Sequence, residues 1–189
     1  MQKIGKIVVV AAAALSLAAC GQDAKTEPAS APPTAAPTSD AAAPATQSKG
    51  RECTADDIKT TGKFGEKPEI TIPADCDPPK KLITKDLSEG TGNPAKTGQQ
   101  LKMNYLLVTW SDKKVLDNSY DRGETFDLNL GAGEVIPGWD QGLAGIKQGG
   151  RRLLIIPPDL AYGEGGRGIK PNETLVFVTD AVTVPGTQG

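Results

Sequence analysis

The residue types that make or break covalent bonds are scarce in this chain. It contains no histidine, which excludes histidine-based triads and histidine metal sites. Gly131-Ala132-Gly133 has no third glycine at the dinucleotide-binding distance, and Pro137 would interrupt the helix that such a motif requires. Gly145 to Arg152 lacks the lysine of a phosphate loop. Asp56-Asp57 and Asp117 with Asp121 do not follow calcium-loop spacing, so solvated loops are expected there. Arg151-Arg152 invites an anion, but two cations at a strand entry are expected simply to be solvated. What is left is a constellation of aromatic and branched side chains, whose chemistry is to enclose a group and strip water from it. Trp139 is its clearest marker, because large aromatics lining a concave site are usual in ligand pockets. Neither a metal nor a cofactor is expected.

The elements that must position these side chains centre on Gly131 to Tyr162. Val135, Ile136, Trp139, Leu143 and Ile146 recur at three- and four-residue steps around Pro137, which predicts a short helix from about Pro137 to Ile146, closed by Gly149 and Gly150. Arg151 to Ile156 turns continuously apolar after its two arginines and stops at Pro157-Pro158, which predicts a strand. A helix followed at once by a buried strand implies a sheet wrapped over it. Leu82 to Leu87 reads as a first strand. Leu101, Met103, Tyr105 and Leu107 alternate with Lys102 and Asn104 over the first half of a long strand closed by Trp110. Val115-Leu116 leads into a polar loop, Asp117 to Glu124, and Phe126, Leu128 and Leu130 alternate again. Gly163 to Gly168 holds four glycines in six residues and must be a loop. Thr174 to Val184 closes the domain as a β-branched strand with Leu175, Phe177 and Thr179 on one face. About five strands and one short helix, without repeated helical crossovers, predict an α+β domain in which a curved antiparallel sheet wraps the helix.

The chain of 189 residues begins differently. Lys3 and Lys6 precede the apolar run Ile7 to Ala19, too short to span a bilayer but suited to a signal-peptide core. It ends in Leu17-Ala18-Ala19-Cys20, which resembles the bacterial lipobox, so 1–19 is expected as a lipoprotein leader and Cys20 as the lipidated residue; a soluble secreted protein is the alternative. Loss of Lys3 and Lys6 would take the net charge from −2 to −4, an acidity that argues against a nucleic-acid partner. From Ala24 to Lys49, Ala, Pro, Ser and Thr fill 21 of 26 positions with no large apolar side chain, so 20–50 is expected to be a disordered tether. Residues 51–79 are charged, carry Cys53 and Cys76, and contain the Glu69-Ile70-Thr71-Ile72 alternation of an edge strand. With Cys20 assigned to lipid, an even pair outside the membrane is expected to form a disulfide, two free thiols being the alternative. That segment is expected as an extension stapled onto a domain spanning 80–189.

Leu101 to Val184 resembles an FKBP-type peptidyl-prolyl isomerase domain. The resemblance runs in order through Asn104-Tyr105, Leu116-Asp117-Asn118-Ser119, Asp121-Arg122, Phe126, Leu130-Gly131, Glu134-Val135-Ile136-Pro137-Gly138-Trp139, Gly142, Gly149, Pro158, Ala161-Tyr162-Gly163 and Thr174-Leu175-Val176-Phe177. With lipobox, tether and cysteine pair, the chain is similar to secreted bacterial members. The resemblance implies a pocket between sheet and helix, with Trp139 as its floor and Tyr105, Phe126, Val135, Ile136 and Phe177 as apolar walls. It further implies Asp117 at the rim, Arg122 anchored nearby, Tyr162 offering its hydroxyl to a bound carbonyl, and Glu134 and Ile169 among the substrate-binding residues. Taken singly, Phe126, Val135 and Phe177 read equally well as ordinary core. The family usually carries Phe where this chain has Leu116, so binding is expected to survive more surely than catalytic rate.

The expected activity is therefore cis-trans isomerisation of Xaa-Pro bonds in exported client proteins, by a membrane-anchored lipoprotein outside the cytoplasm. A monomer is expected, and macrolide-type immunophilin ligands are candidate pocket occupants. The competing expectation is a non-enzymatic module that holds proline segments as a chaperone or assembly factor with little turnover.

Overall fold

The computed structural model describes residues 48–186, all within the unit Pro44–Gly189. The leader over 1–19, Cys20, and the tether over 20–50 except for its last three residues lie outside the described residues. In chain order the elements are β1 (Lys59–Thr60), β2 (Ile70–Thr71), β3 (Ile83–Ser88), β4 (Gln100–Thr109), β5 (Val115–Asn118), β6 (Phe126–Asn129), α1 (Pro137–Gly142), β7 (Arg151–Ile156) and β8 (Leu175–Thr183).

The main sheet runs β3-β7-β8-β4-β5, with β6 also paired to β4, and every pairing in it is antiparallel. β5 meets β4 at Leu106 to Val108, whereas β6 meets it at Gln100 to Met103. Two short strands thus share one edge of a long one, and the sheet is five strands wide although it contains six. Register shifts interrupt β3 at Asp86/Ser88 and β4 at Lys102/Met103 and Leu107/Val108, the kind of irregularity that bends and twists a strand.

One face of the sheet carries Leu101, Met103, Tyr105, Leu154, Ile156, Leu175 and Phe177, which pack with Trp139, Leu143 and Ile146 from the helical region. The other carries Leu106, Val108, Leu153, Ile155, Val176 and Val178, which pack with Ile58 and Ile72 from the extension. Adjacent residues in β7 and β8 therefore point into two different cores. This is why Leu153 to Ile156 is a continuous apolar run rather than an alternating one. β1 and β2 pair with each other and not with the main sheet, so the Glu69 to Ile72 alternation belongs to a two-stranded ribbon inside the extension. Cys53 and Cys76 form a disulfide within that extension, with Cα atoms 5.2 Å apart.

The helix is shorter than the periodicity of Leu143 and Ile146 predicts. It ends at Gly142, with the Leu143 N–H on the Trp139 carbonyl at 2.9 Å. Gly145 then takes φ of 76°, and its N–H reaches the Ala95 carbonyl while Ala95 N–H reaches the Ile146 carbonyl, each at 2.8 Å. Bonds to the neighbouring 95 loop replace those of a further helical turn, and they deliver Leu143 and Ile146 to the same core. Contact with β7 is close: a Cβ on Gly138 would lie 2.3 Å from Ile156 Cγ2, and one on Gly142 2.8 Å from Leu154 Cδ2.

Arg151 and Arg152 are not solvated, contrary to expectation. Arg151 is 2% exposed and Arg152 9%. Arg151 grips Asp180 through two bonds of 2.6 and 2.8 Å, and Arg152 grips Asp86 through bonds of 2.6 and 3.0 Å. Burial follows from the sheet being covered on both faces. Asp180 is fully buried, so Asp180→Asn should leave a buried guanidinium uncompensated and cost about 3 to 5 kcal/mol of stability. Urea unfolding monitored by circular dichroism checks this, and an unchanged midpoint would refute it. Reducing the disulfide should lower the melting temperature, at a cost of up to about 3 kcal/mol from the loop it closes.

Candidate functional site

Trp139 owes its position to the short helix. Pro137 sets φ for the first turn, and Asp140 accepts hydrogen bonds from Gly131 N (2.7 Å) and Gly133 N (3.1 Å), which pins the preceding loop to α1. At the other end, Arg152 Nη1 donates to the carbonyls of Gly142 (2.9 Å) and Ala144 (3.0 Å), satisfying acceptors that a helix terminus leaves open. The indole is 4% exposed, and its Nε1–H has no acceptor among the described residues.

The chain has three Phe, three Tyr and two Trp, and half of them converge here. Ring centroids lie 5.4 Å apart for Tyr105 and Trp139, 5.7 Å for Phe126 and Trp139, and 5.3 Å for Trp139 and Phe177, with interplanar angles of 83°, 89° and 76°. These are edge-to-face contacts, the arrangement aromatic quadrupoles favour. Ile169 is buried in the same cluster, and Val135, Ile136 and Tyr162 pack half-buried against it. Phe126 remains 36% exposed, so the enclosure is open to solvent on its side.

Asp117 ends up beside these rings because β5 pairs with β4, placing it opposite Leu107. The Tyr105 hydroxyl donates to Asp117 Oδ2 and Arg122 Nη1 donates to Asp117 Oδ1. Arg122 Nη2 also donates to the Tyr105 hydroxyl at 2.9 Å, and its guanidinium carbon sits 5.6 Å from the centre of the Tyr105 ring. Burial opposes the charge on Asp117, but the bonds from Tyr105 and Arg122 and the Arg122 charge outweigh it and hold the carboxyl below its ordinary value. Burial, with the neighbouring carboxylate, pushes the Tyr105 phenol up, so the phenol stays a donor.

Two residues assigned from the sequence stand apart from the cluster. Leu116 is the residue that the β4–β5 register skips between Val115 and Asp117, and it is 39% exposed. The Glu134 carboxylate accepts from Asn129 Nδ2 (2.8 and 3.0 Å) and Asn129 N (3.2 Å), bonds that lower its pKa. Sequence reasoning missed Ser119, fully buried, whose Oγ accepts from Tyr105 N and donates to Asn104 Oδ1, both at 2.9 Å. A small polar residue directly after Asp117-Asn118 was the available signal. A separate cleft of about 940 Å³ lies between the 48–52 and 73–80 segments and Trp110, and none of the converging aromatics lines it. Two of the acids lining it are already engaged, Asp77 by Ser48 and Lys49 and Glu173 by Ser111.

An apolar enclosure with one neutralised ion pair can bind and desolvate a small ring, and comparison with known proteins gives its family. The family profile described as FKBP-type peptidyl-prolyl cis-trans isomerase matches residues 91–181. An FK506-binding protein of Streptomyces anulatus is 49% identical over 122 residues, covering 63% of this chain and 98% of that protein. The FKBP-type isomerase FkpA of Escherichia coli is 44% identical over 104 residues, covering 54% of this chain but 37% of that protein. The crystal structure of AtFKBP13 aligns with a TM-score of 0.51 at 37% identity, over 55% of this chain and 93% of that one. The chain belongs to the FKBP-type peptidyl-prolyl cis-trans isomerase family, and rotation about Xaa-Pro bonds is its activity.

The Asp117 pKa is depressed in the folded state, so the ionised carboxyl contributes stability that is complete above the unfolded value of about 3.9 and lost as pH falls through the folded value. The difference in unfolding free energy between wild type and Asp117→Asn should therefore be flat above about pH 5 and shrink below about pH 4. Denaturant titrations from pH 2 to 7 check this, and a difference independent of pH would contradict the assigned bonds.

Proposed function

We propose that the Trp139-centred cluster is where an Xaa-Pro segment of an exported protein is bound and isomerised. The observation that carries this reading is four aromatic rings meeting edge to face beside a carboxylate already neutralised by Tyr105 and Arg122. Uncatalysed rotation takes tens to hundreds of seconds, because the twisted transition state loses amide resonance. The planar amide is more charge-separated than the twisted one. A pocket that strips water from the amide destabilises the planar state more, which lowers the barrier without moving a proton. A chain without histidine can do this.

Trp139 forms the floor, Tyr105, Phe126, Val135, Ile136, Ile169 and Phe177 the walls, and Tyr162 offers its hydroxyl to a bound carbonyl. Leu116 and Glu134 flank the bound segment, while Asp117 and Arg122 form the rim. The unpartnered Trp139 Nε1–H supports occupancy by a group with an acceptor, since a buried unsatisfied donor costs about 1 to 3 kcal/mol. Relatives named FK506-binding proteins support a macrolide of that class as a competitor for the same pocket. The lipobox-like quartet Leu17 to Cys20 and the Ala/Pro-rich 20–50 stretch support a lipoprotein that acts outside the membrane, with clients reached on a tether.

Tyr162→Phe should cost about 0.5 to 1.5 kcal/mol, a loss of about two- to thirteenfold. Trp139→Ala should do more damage, because removing a buried indole takes away the floor and leaves a cavity that costs about 3 to 5 kcal/mol of stability in a packed setting. Leu116→Phe should raise turnover with little change in stability. Proline-limited refolding rates, measured on variants shown to be folded, decide the matter: an unchanged rate for Leu116→Phe together with a fully active Trp139 variant would move the site elsewhere. Independently, Cys20→Ala should release the protein into the aqueous phase of a detergent partition, and aqueous partitioning of the wild type would refute the anchor.

A further inference from the structure

Asp117 and Arg122 flank a four-residue turn, Asn118 to Asp121, and that turn is gripped from outside the catalytic cluster. Asn118 and Asp121 close it on themselves, with Asn118 Nδ2 donating to Asp121 Oδ2 (2.9 Å) and Asp121 N to Asn118 Oδ1 (2.8 Å). Lys67, in the extension, donates to both oxygens of Asp121 at 2.7 Å. Tyr120 packs against the outer core, and its hydroxyl donates to Asp180 Oδ2 (3.0 Å) while accepting from Arg151 Nη2 (3.2 Å). That same buried pair seizes the extension: Gly65 N donates to Asp180 Oδ2 at 2.7 Å, and Arg151 Nη2 donates to the Glu66 carbonyl at 2.6 Å. The loop is itself closed by Lys63 N on Glu66 Oε2 at 3.0 Å and Glu66 N on the Lys63 carbonyl at 2.9 Å. Three residues of the extension and two of the turn thus meet at one buried ion pair and one surface contact.

We propose that the 62–67 loop of the extension is a positioning element for the isomerase site, with Lys67 and Tyr120 as positioning residues that hold the Asn118 to Asp121 turn and, through it, the Asp117–Arg122 pair against Tyr105. Without that grip, the turn is fixed on its inner side only, by Ser119 on Asn104 and the Tyr105 backbone. Neither Lys67 nor Tyr120 belongs to the aromatic cluster, so each acts by where it puts Asp117 and Arg122 and not by touching substrate. This inference rests on the reading of the aromatic cluster as the catalytic pocket.

The test compares full-length wild type with Lys67→Ala, Lys67→Arg and Tyr120→Phe by kcat and KM on an Xaa-Pro peptide. The Asp117 carboxyl is followed alongside by NMR titration without substrate. Lys67→Ala should raise KM about two- to fivefold, the range an exposed ion pair can command, with the melting temperature little changed. It should also move the Asp117 titration up toward the ordinary aspartate value, as Arg122 loosens. Lys67→Arg should restore both, and Tyr120→Phe should reproduce both shifts. Unchanged KM and unchanged Asp117 titration in Lys67→Ala, or equal impairment in Lys67→Arg, would overturn the proposal. Should Trp139→Ala prove fully active, the pocket assignment fails, yet the substrate-free Asp117 titration still decides whether the loop holds the turn.

Discussion

A six-residue helix has no stability of its own, because the cost of fixing its first turn is never recovered by so few hydrogen bonds. α1 exists because β7 receives it. Two glycines let its backbone come down onto Ile156 and Leu154, Arg152 occupies the carbonyls at its far end, and Asp140 ties its first turn to the preceding loop. Arg152 is itself fixed by Asp86 from β3, so the edge strand β3, its neighbour β7 and the helix are locked through one guanidinium. Everything at the site follows from that docking, since Trp139 is presented by α1 and the other three rings pack around it.

The site combines two environments that would conflict if they were not separated. The ring cluster is apolar, whereas Asp117 and Arg122 bring full charges within reach of it. Pairing them with each other and with the Tyr105 hydroxyl resolves this, because a neutralised pair projects little field into the enclosure. Tyr105 links the two, its ring in edge-to-face contact with Trp139 and its hydroxyl on the carboxylate.

Most of this was legible in the sequence, and what was not shares a cause. Tyr105 and Phe177 could be placed on the inner face by period-two alternation, and Trp139 by its spacing from Pro137. The ordered landmarks from Asn104 to Phe177 named the fold. Arg151 and Arg152 were misread because their partners lie 29 and 66 residues away in the chain, and nothing local distinguishes a solvated arginine from a clamped one. The helix end was misplaced for a similar reason: Leu143 and Ile146 keep a helical spacing, but the bonds that turn the chain come from Ala95. Leu116 and Glu134 were assigned through the resemblance, and their side chains are directed by a register skip and by Asn129, features that periodicity does not encode.

The covering of the outer sheet face by Ile58, Ile72 and their neighbours has a consequence for what can be cut away. A chain trimmed to begin at residue 80 would keep every ring of the site and the whole main sheet. It would also lay bare a contiguous strip of Leu106, Val108, Leu153, Ile155, Val176 and Val178, each at most 2% exposed in the intact protein. An exposed apolar sheet face of that kind invites self-association. The segment that contributes no ring to the site is therefore the one that keeps this apolar strip covered.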